Sequence, residues 1–587
     1  MRIEDYALIG DTHTAALVGR NGSIDWLCLP RFDSGSCFAA LLGNEDHGFW
    51  ILAPVDAPTR ITRRYRPGTL VLETDFETAG GAVRVIDCMP IRQEYPWLVR
   101  RAVGLRGRVP MRMKLVIRFD YGAVLPWVHK TDHSLEAKAG PDAVILRTRA
   151  ATRGEGFSTV AEFELAEGED MPFGLHWYPS HQPPPPPGNV HEAIESTTQW
   201  WQEWSQSGNF KGDDRDAVHT SARVLKALTY APTGGIVAAA TTSLPESLGG
   251  ERNWDYRFCW LRDAAFTLDA LLAAGYADEA ESWRDWLLRA IAGDPAALQT
   301  LYGTAGERRA PEFELTYLPG YENSRPVRIG NLASTQFQLD VYGEVIDALY
   351  RARLSESVAR ENSADAWSLQ IKLMEYLEKH WRDDDSGIWE VRGEVRPFTY
   401  SKVMAWVAAD RTVKAAEKFG LECDRDHWAA LRDEIRQDVL SRGFNPKVNA
   451  FTQSYGSDVM DAAVLRLPMV GFIDAKDPRM LSTIAAVEKK LLKAGLVARY
   501  EDGTDNLGGV EGVFLPCSFW LVVNFALCGR VGDARKLYDT LISLANDLGL
   551  FSEEYDPQRK RLLGNFPQAF THVALINAAV ALAEASR

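Results

Sequence analysis

Four things are missing from this 587-residue chain, and each absence removes a class of function. No run of about 18 apolar residues is available to span a bilayer. The seven cysteines include no CxxC pair and form an odd set, so neither a disulfide framework nor a zinc knuckle is indicated and a reducing compartment fits. Basic charge is in deficit: the formal net charge is -15, which disfavours nucleic acid and anionic membranes as partners but leaves a neutral substrate unaffected. Neither GxxxxGK[ST] nor a strand-to-helix GxGxxG occurs, which sets nucleotide cofactors aside. The start, Met1-Arg2-Ile3-Glu4-Asp5-Tyr6, puts acids where a secretory leader needs basic and apolar residues, pointing to the cytoplasm. His13 and His47 have no neighbours at metal-ligand spacing, so no metal site is built on them.

Aromatic residues, in contrast, are plentiful: 18 Trp, 19 Tyr and 24 Phe. Many crowd beside Arg, Asp and Glu in Gly-rich segments, a combination that suits a ligand apolar on one face and hydroxylated at its edge.

At 587 residues the chain exceeds one ordinary core. Residues 1–190 contain short β-branched segments, 69–76, 83–87, 112–119 and 143–148, separated by Gly, Pro or Asp turns, and Asn21-Gly22 marks a hairpin. This predicts an antiparallel β-sandwich. Five consecutive prolines, Pro183 to Pro187, mark a boundary or a projecting loop. Residues 191–210 read as a linker helix with Trp200, Trp201 and Trp204 along one side.

From 211 to 587 helical patterning recurs near 215–230, 262–274, 278–291, 332–353, 364–380, 401–418, 426–441, 457–465, 477–490, 511–527, 531–547 and 568–585. Short connections alternate with long ones rich in Gly, Trp, Tyr, Arg, Asp and Glu. Successive antiparallel helices would bring every long connection to one end. Six such hairpins closed in a ring make an (α/α)6 barrel with its polar loops around one mouth, and an open solenoid is the competing arrangement. The fold expected is therefore α+β and multidomain, a β-sandwich followed by that barrel.

Two of the long connections carry an acid beside aromatics: Gly387-Ile388-Trp389-Glu390-Val391-Arg392 and Leu550-Phe551-Ser552-Glu553-Glu554-Tyr555-Asp556. A closed ring would let Glu390 and Glu553 face one another, one holding a proton and one charged, as glycoside hydrolysis requires. The bulk of Trp389 would favour the protonated form of Glu390, while Glu554 competes with Glu553 for the base. In the first long connection Tyr256, Phe258 and Trp260 alternate before Arg262 and Asp263, a stacking surface followed by a donor fork and an acceptor, although Asp263 could instead serve its helix N-terminus. Tyr321, Arg328, Arg392 and Glu511 add further ring and charge on the same rim, Glu511 within the Gly-rich Gly508-Gly509-Val510-Glu511-Gly512 turn. Tyr500 and Glu501 are rim candidates of undetermined direction.

Gly10-Asp11, Asn21-Gly22-Ser23-Ile24-Asp25-Trp26-Leu27-Cys28-Leu29-Pro30-Arg31-Phe32-Asp33, Trp260-Leu261-Arg262-Asp263, Gly387-Ile388-Trp389-Glu390-Val391-Arg392-Gly393 and Gly564-Asn565-Phe566-Pro567-Gln568 together resemble glycoside hydrolase family 15, the glucoamylase, glucodextranase and trehalase family. The resemblance covers nearly the entire chain. It implies a β-sandwich and an (α/α)6 barrel cleaving terminal α-glucosides with inversion. Glu390 would be the general acid and Glu553 the general base, Arg262 and Asp263 would hold the non-reducing glucose, and Tyr256 and Trp260 would pack beside it. Val391 replaces a second acid of the fungal glucoamylases and Phe570 a tryptophan, departures expected to change contacts around the leaving group. The main expectation is an exo-acting glucohydrolase of small α-glucosides, glucoamylase-like or of isomaltose or dextran-oligosaccharide type, and the alternative is an α,α-trehalase. No cofactor is called for by two-carboxylate chemistry. The expected partner is a small neutral glucoside, with homo-oligomerisation left open.

Overall fold

A computed structural model describes residues 1–131, 134–355, 363–501, 503–504 and 511–587. Gly508, Gly509 and Val510 of the Gly-rich turn, and most of the 354–363 connection, lie outside the described residues.

The N-terminal part is an antiparallel β structure organised by one long strand, Trp97–Val116. Its first half pairs with Gly81–Cys88 and Asp170–Pro179, and its second half with Phe49–Pro54 and Ser158–Ala166. Two sheets thus share one strand. Only residues 112–119 read as a strand here from the sequence, because Arg, Gly and Pro fill the middle of the run, where they read as a turn. The Asn21-Gly22 turn joins Ala15–Gly19 to Ser23–Cys28 as expected. Gly22 has φ +83° there, and a Cβ would come within 2.5 Å of the Leu52 carbonyl.

Between the layers Trp26, Trp50, Leu52, Met111, Met113 and Phe173 are buried. The same core holds an ion pair. Arg100, opposite Asp87 on the neighbouring strand, donates to it at 2.7 Å and also to the carbonyls of Trp50 and Gly22, each at 2.7 Å. Each donor therefore has an acceptor, which is the condition for keeping a guanidinium out of water.

Helix α1 (Val190–Gln206), capped by Asn189, follows the proline run. Trp201 is buried, while Trp204 stacks on Tyr276 at 4.2 Å and donates to Glu279 at 2.7 Å. The remaining helices are α2 (Arg215–Ala227), α3 (Ala264–Ala274), α4 (Ala277–Ile291), α5 (Asp340–Leu354), α6 (Ser363–His380), α7 (Thr399–Phe419), α8 (Arg425–Arg442), α9 (Arg466–Met469, continuing a 3-10 turn over Ala462–Leu465), α10 (Pro478–Lys490), α11 (Leu515–Leu527), α12 (Val531–Ile542) and α13 (Ala569–Ala585). Helices α3, α5, α7, α9, α11 and α13 pack in succession, and α13 returns to α3, so the ring is closed. The solenoid is thereby excluded. Of these inner helices α3, α11 and α13 are apolar nearly all round, as in α11, where Leu515 to Ala526 are all buried, whereas α5 and α7 also bury charged residues such as Asp340, Glu344, Lys402 and Asp410.

Three expected helix starts move. Residues 332–335 form a separate 3-10 turn capped by Asn331 before α5 begins, Asp461 caps the turn leading into α9, and Val513–Phe514 pairs with Glu554–Asp556 before α11 starts. In each case backbone that the pattern read as helix is used to shape the rim.

The Arg100–Asp87 pair yields a stability test. Arg100→Ala leaves Asp87 buried without its counter-charge and should cost about 3–5 kcal/mol. Urea unfolding followed by tryptophan fluorescence would measure the loss, and a change under about 1 kcal/mol would show that the pair does not carry this core.

Candidate active site

Every connection that leads into an inner helix delivers a side chain to one pocket or to the wall behind it. The α2–α3 connection supplies Glu246, Arg252, Trp254 and Tyr256; α4–α5 supplies Asn331, Ala333 and Gln336; α6–α7 supplies Trp389, Glu390, Val391 and Arg392; α10–α11 supplies Arg499 and Tyr500. The α8–α9 connection contributes Asp461, and α12–α13 contributes Glu553.

Glu390 and Glu553 are linked through two rings of a single connection. The Trp260 indole donates to Glu390 Oε1 at 2.6 Å, the Tyr256 hydroxyl donates to Glu553 Oε1 at 2.6 Å, and the two rings meet edge to face at 5.3 Å. Arg262 also donates to Glu390 Oε1, at 2.9 Å, and to the Ile388 carbonyl at 2.5 Å. Both donors fall on the same oxygen, Oε1.

The backbone of Glu390 is left-handed, φ +58°, unusual for a glutamate. Such a conformation costs of order 1–3 kcal/mol and persists only where the surroundings over-determine it. Here the Gln336 amide donates to the carbonyls of Glu390 at 3.1 Å and Val391 at 3.3 Å, clamping the turn from the neighbouring connection.

Glu553 is fully buried, and its second oxygen accepts the Asn565 amide at 3.4 Å. Gly564 closes over it with φ +74°, and a Cβ there would stand 2.6 Å from Glu553 Oε2. This accounts for the glycine of the Gly564-Asn565-Phe566-Pro567-Gln568 stretch. Burial and the charge of Glu246 push the Glu553 carboxyl well above the usual carboxylate range, against the opposing pull of Arg499 and the Tyr256 hydroxyl.

Arg262 lies 3.4 Å from Asp263, whose side chain does not cap α3. Burial raises the Asp263 pKa although Arg262 pulls the other way.

Other expectations need correcting. Trp389 does not shield Glu390: its indole donates to both oxygens of Asp461 at 2.9 Å and packs among Tyr500, Phe514 and Trp520, so the ring that meets the acid is Trp260. Tyr321 is not on the rim; its hydroxyl donates to the Met1 carbonyl and accepts from Arg561, both at 2.9 Å, at the seam with the β domain. Glu554 turns away from the pocket and pairs with Arg499 at 3.1 Å. Glu511 also pairs with Arg499, and it lies 3.5 Å from Arg252. Arg392 lines the pocket while it grips Glu312 over Trp254, and Arg328 stands over the same ring. Glu501 accepts from Lys490 and the Met460 amide, whereas Tyr500 lines the pocket. Of the two departures from the glucoamylase pattern, Val391 lines the pocket, but Phe570 packs on Phe514 and Trp520 in the core.

Sequence reasoning missed Glu246, Arg499 and Asp461. Arg499 donates to Glu246 at 2.5 Å and holds Glu511 and Glu554 as well. The carboxylates of Glu246, Glu511 and Glu554 lie within 4.8 Å of one another, the one such grouping among the described residues. Arg499 contacts all three and already supplies the charge a cation would bring. Burial pushes Asp461 up to about 6, which suits an acid held as an indole acceptor. Its Asp-Ala-Ala sequence signals only a helix cap.

Among the described residues no helix is long and apolar enough to cross a membrane. The pattern of Glycosyl hydrolases family 15 matches residues 212–580, and that of the trehalase-like N-terminal domain matches residues 1–157. A trehalase of Mycobacterium tuberculosis (strain ATCC 25618 / H37Rv) is 39% identical, with 98% of this chain and 89% of that protein covered. One from Thermoplasma volcanium is 35% identical over 100% of this chain and 94% of that protein. A bacterial glucoamylase complexed with acarbose superposes with a TM-score of 0.74 at 13% identity, covering 100% of this chain and 94% of the other, a likeness of fold. The closed helical ring, the acids on its rim and these relationships identify the chain as a glycoside hydrolase belonging to family 15.

Proposed function

We propose that the protein hydrolyses α,α-trehalose to two glucose molecules with inversion, using Glu390 as general acid and Glu553 as general base. The observation carrying the chemistry is that Trp260 and Tyr256, adjoining rings of one connection, each hold one of the two carboxylates. Glu390 donates its proton to the bridging oxygen. Glu553, once ionised, takes a proton from the water that attacks C1 from the other face. Arg262 and Asp263 hold the hydroxyls of the ring under attack. The linkage rests on the trehalases that match this chain nearly end to end. That relationship favours trehalose over the isomaltose or dextran-type oligosaccharides that the sequence first suggested, since the glucoamylase likeness speaks to fold alone.

Inversion on trehalose has a distinctive product pattern. The attacked carbon becomes β, while the departing ring keeps its own C1–O bond and stays α. Proton NMR of early turnover should therefore show α- and β-glucose in equal amounts before mutarotation; α-glucose alone would mean retention. Glu390→Gln and Glu553→Gln should each lower kcat by at least about 10²–10⁴-fold with the fold intact. Full activity in both variants would remove the site assignment.

The acid limb of the pH–rate profile tests the base. Glu553 acts only when ionised, so the rate rises as pH passes its pKa. Tyr256→Phe deletes a hydrogen bond to the charged form, which raises that pKa and shifts the limb of kcat/KM to higher pH. At neutral pH kcat/KM should fall by about 10–100-fold, the worth of a hydrogen bond to a charged group. An unshifted limb would mean that Glu553 is not the base.

A further inference from the structure

Arg392 follows Glu390 by two residues, and its guanidinium extends over the Trp254 ring, 4.1 Å from the centroid, to grip Glu312 through both terminal nitrogens at 3.0 and 2.6 Å. Arg328 stands over the same ring at 4.6 Å and approaches Glu312 to 3.5 Å. Glu312 also accepts the Leu332 amide at 3.2 Å, so it is anchored to its own connection. An ion pair from the α6–α7 connection to the α4–α5 connection thus crosses a tryptophan of the α2–α3 connection. Side-chain exposure rises from 15% at Arg262 and 19% at Glu390 to 30% at Arg392, whereas Glu312 is 9% exposed, so the arginine lies toward solvent and its anchor is buried behind it.

A pocket-lining tryptophan face is a natural platform for a sugar ring. Here two guanidinium groups occupy it, held by cation–π attraction and by a carboxylate that fixes their position. A second sugar beyond the leaving glucose would need the space over Trp254 that Arg392 fills, with Glu312 holding it there.

We propose that the Arg392–Glu312 pair is a strap over Trp254 that limits the leaving group to one sugar and makes the site selective for disaccharides over longer chains. This rests on the hydrolytic reading of Glu390 and Glu553, and deepens it. The strap determines substrate length; Glu312 has no part in proton transfer.

The test compares kcat/KM for trehalose with that for trehalose extended by one α-1,4-linked glucose on a single ring, in the wild type, Glu312→Gln, Glu312→Ala and Arg392→Ala. Glu312→Gln keeps the shape of the anchor and removes its charge, guarding against a misfolded variant. The wild type should prefer the disaccharide, and all three variants should raise the trisaccharide-to-disaccharide ratio by about tenfold or more, the range that pocket contacts command in discrimination. Loss of trehalose turnover in Arg392→Ala with no change of ratio in the Glu312 variants would make Arg392 a direct ligand of the sugar and overturn the strap. If the wild type cleaves maltose and not trehalose, the linkage is wrong, and the maltotriose-to-maltose ratio decides the strap in the same way. No glucose from any of these substrates overturns the hydrolytic reading and the strap together.

Discussion

The buried pair between Asp255 and Arg257 ties the chemistry of this enzyme to its architecture. Arg257 donates to Asp255 at 2.9 and 2.7 Å and to the Ser34 carbonyl of the β domain at 2.9 Å, and it stands over Tyr121 and Trp26. Burial works against its charge, but Asp255 more than compensates and holds the guanidinium firmly protonated. Asp255 in turn accepts the Gly330 amide at 3.0 Å, reaching the next connection of the barrel. Between the two lies Tyr256, whose hydroxyl meets Glu553. Pinning both flanking residues leaves Tyr256 little freedom, which a partner of the base proposed for Glu553 needs, since small displacements there are costly. The β domain thus acts as a buttress: Trp26 adds a bond to the Ala240 carbonyl at 2.8 Å at the base of the same connection.

The ring supplies the other half of the constraint. Since all rim connections run from an outer helix to an inner one, every inner helix starts at the pocket, and its unpaired N–H groups and dipole favour negative charge there. This helps a site with many carboxylates but does not cover them all. Glu246, Glu511, Glu553 and Glu554 gather around Arg499 with Arg252 alongside. Glu246, Glu553 and Glu554 are all shifted upward, by burial first and then by a neighbouring carboxylate, Glu511 for Glu246 and Glu554, and Glu246 for Glu553, against the pull of Arg499. For Glu553 in its proposed role, a raised pKa makes it a stronger proton acceptor once ionised, so the cluster that disfavours its charge also favours that role.

Much of this arrangement was legible in the sequence because it follows from periodicity. The alternation of short and long connections gave the ring and its polar face, and acids beside aromatics in two long connections gave Glu390 and Glu553. What was hidden depended on side-chain direction. Glu553 and Glu554 are neighbours of the same type, and only the extended backbone entering the Glu554–Asp556 strand, which sends successive side chains to opposite sides, separates the one on Tyr256 from the one on Arg499. Trp389 adjoins Glu390 in sequence but faces Asp461, because the left-handed turn at Glu390 redirects the chain between them. Glu246 sits in Ser-Leu-Pro-Glu-Ser, with no aromatic or glycine to mark it, and its role arises from an arginine 253 residues away.

Val391 and Arg392 show how one connection can set both reaction and substrate. The left-handed Glu390 puts three consecutive side chains to different uses: the acid meets Trp260 and Arg262, Val391 lines the pocket without charge, and Arg392 reaches over Trp254 to Glu312. A second carboxylate at 391 would have placed another negative charge beside the proton donor and within reach of Arg392, competing with Glu312 for it. With an apolar residue there, Arg392 keeps Glu312 of the neighbouring connection as its partner, gripped through both terminal nitrogens.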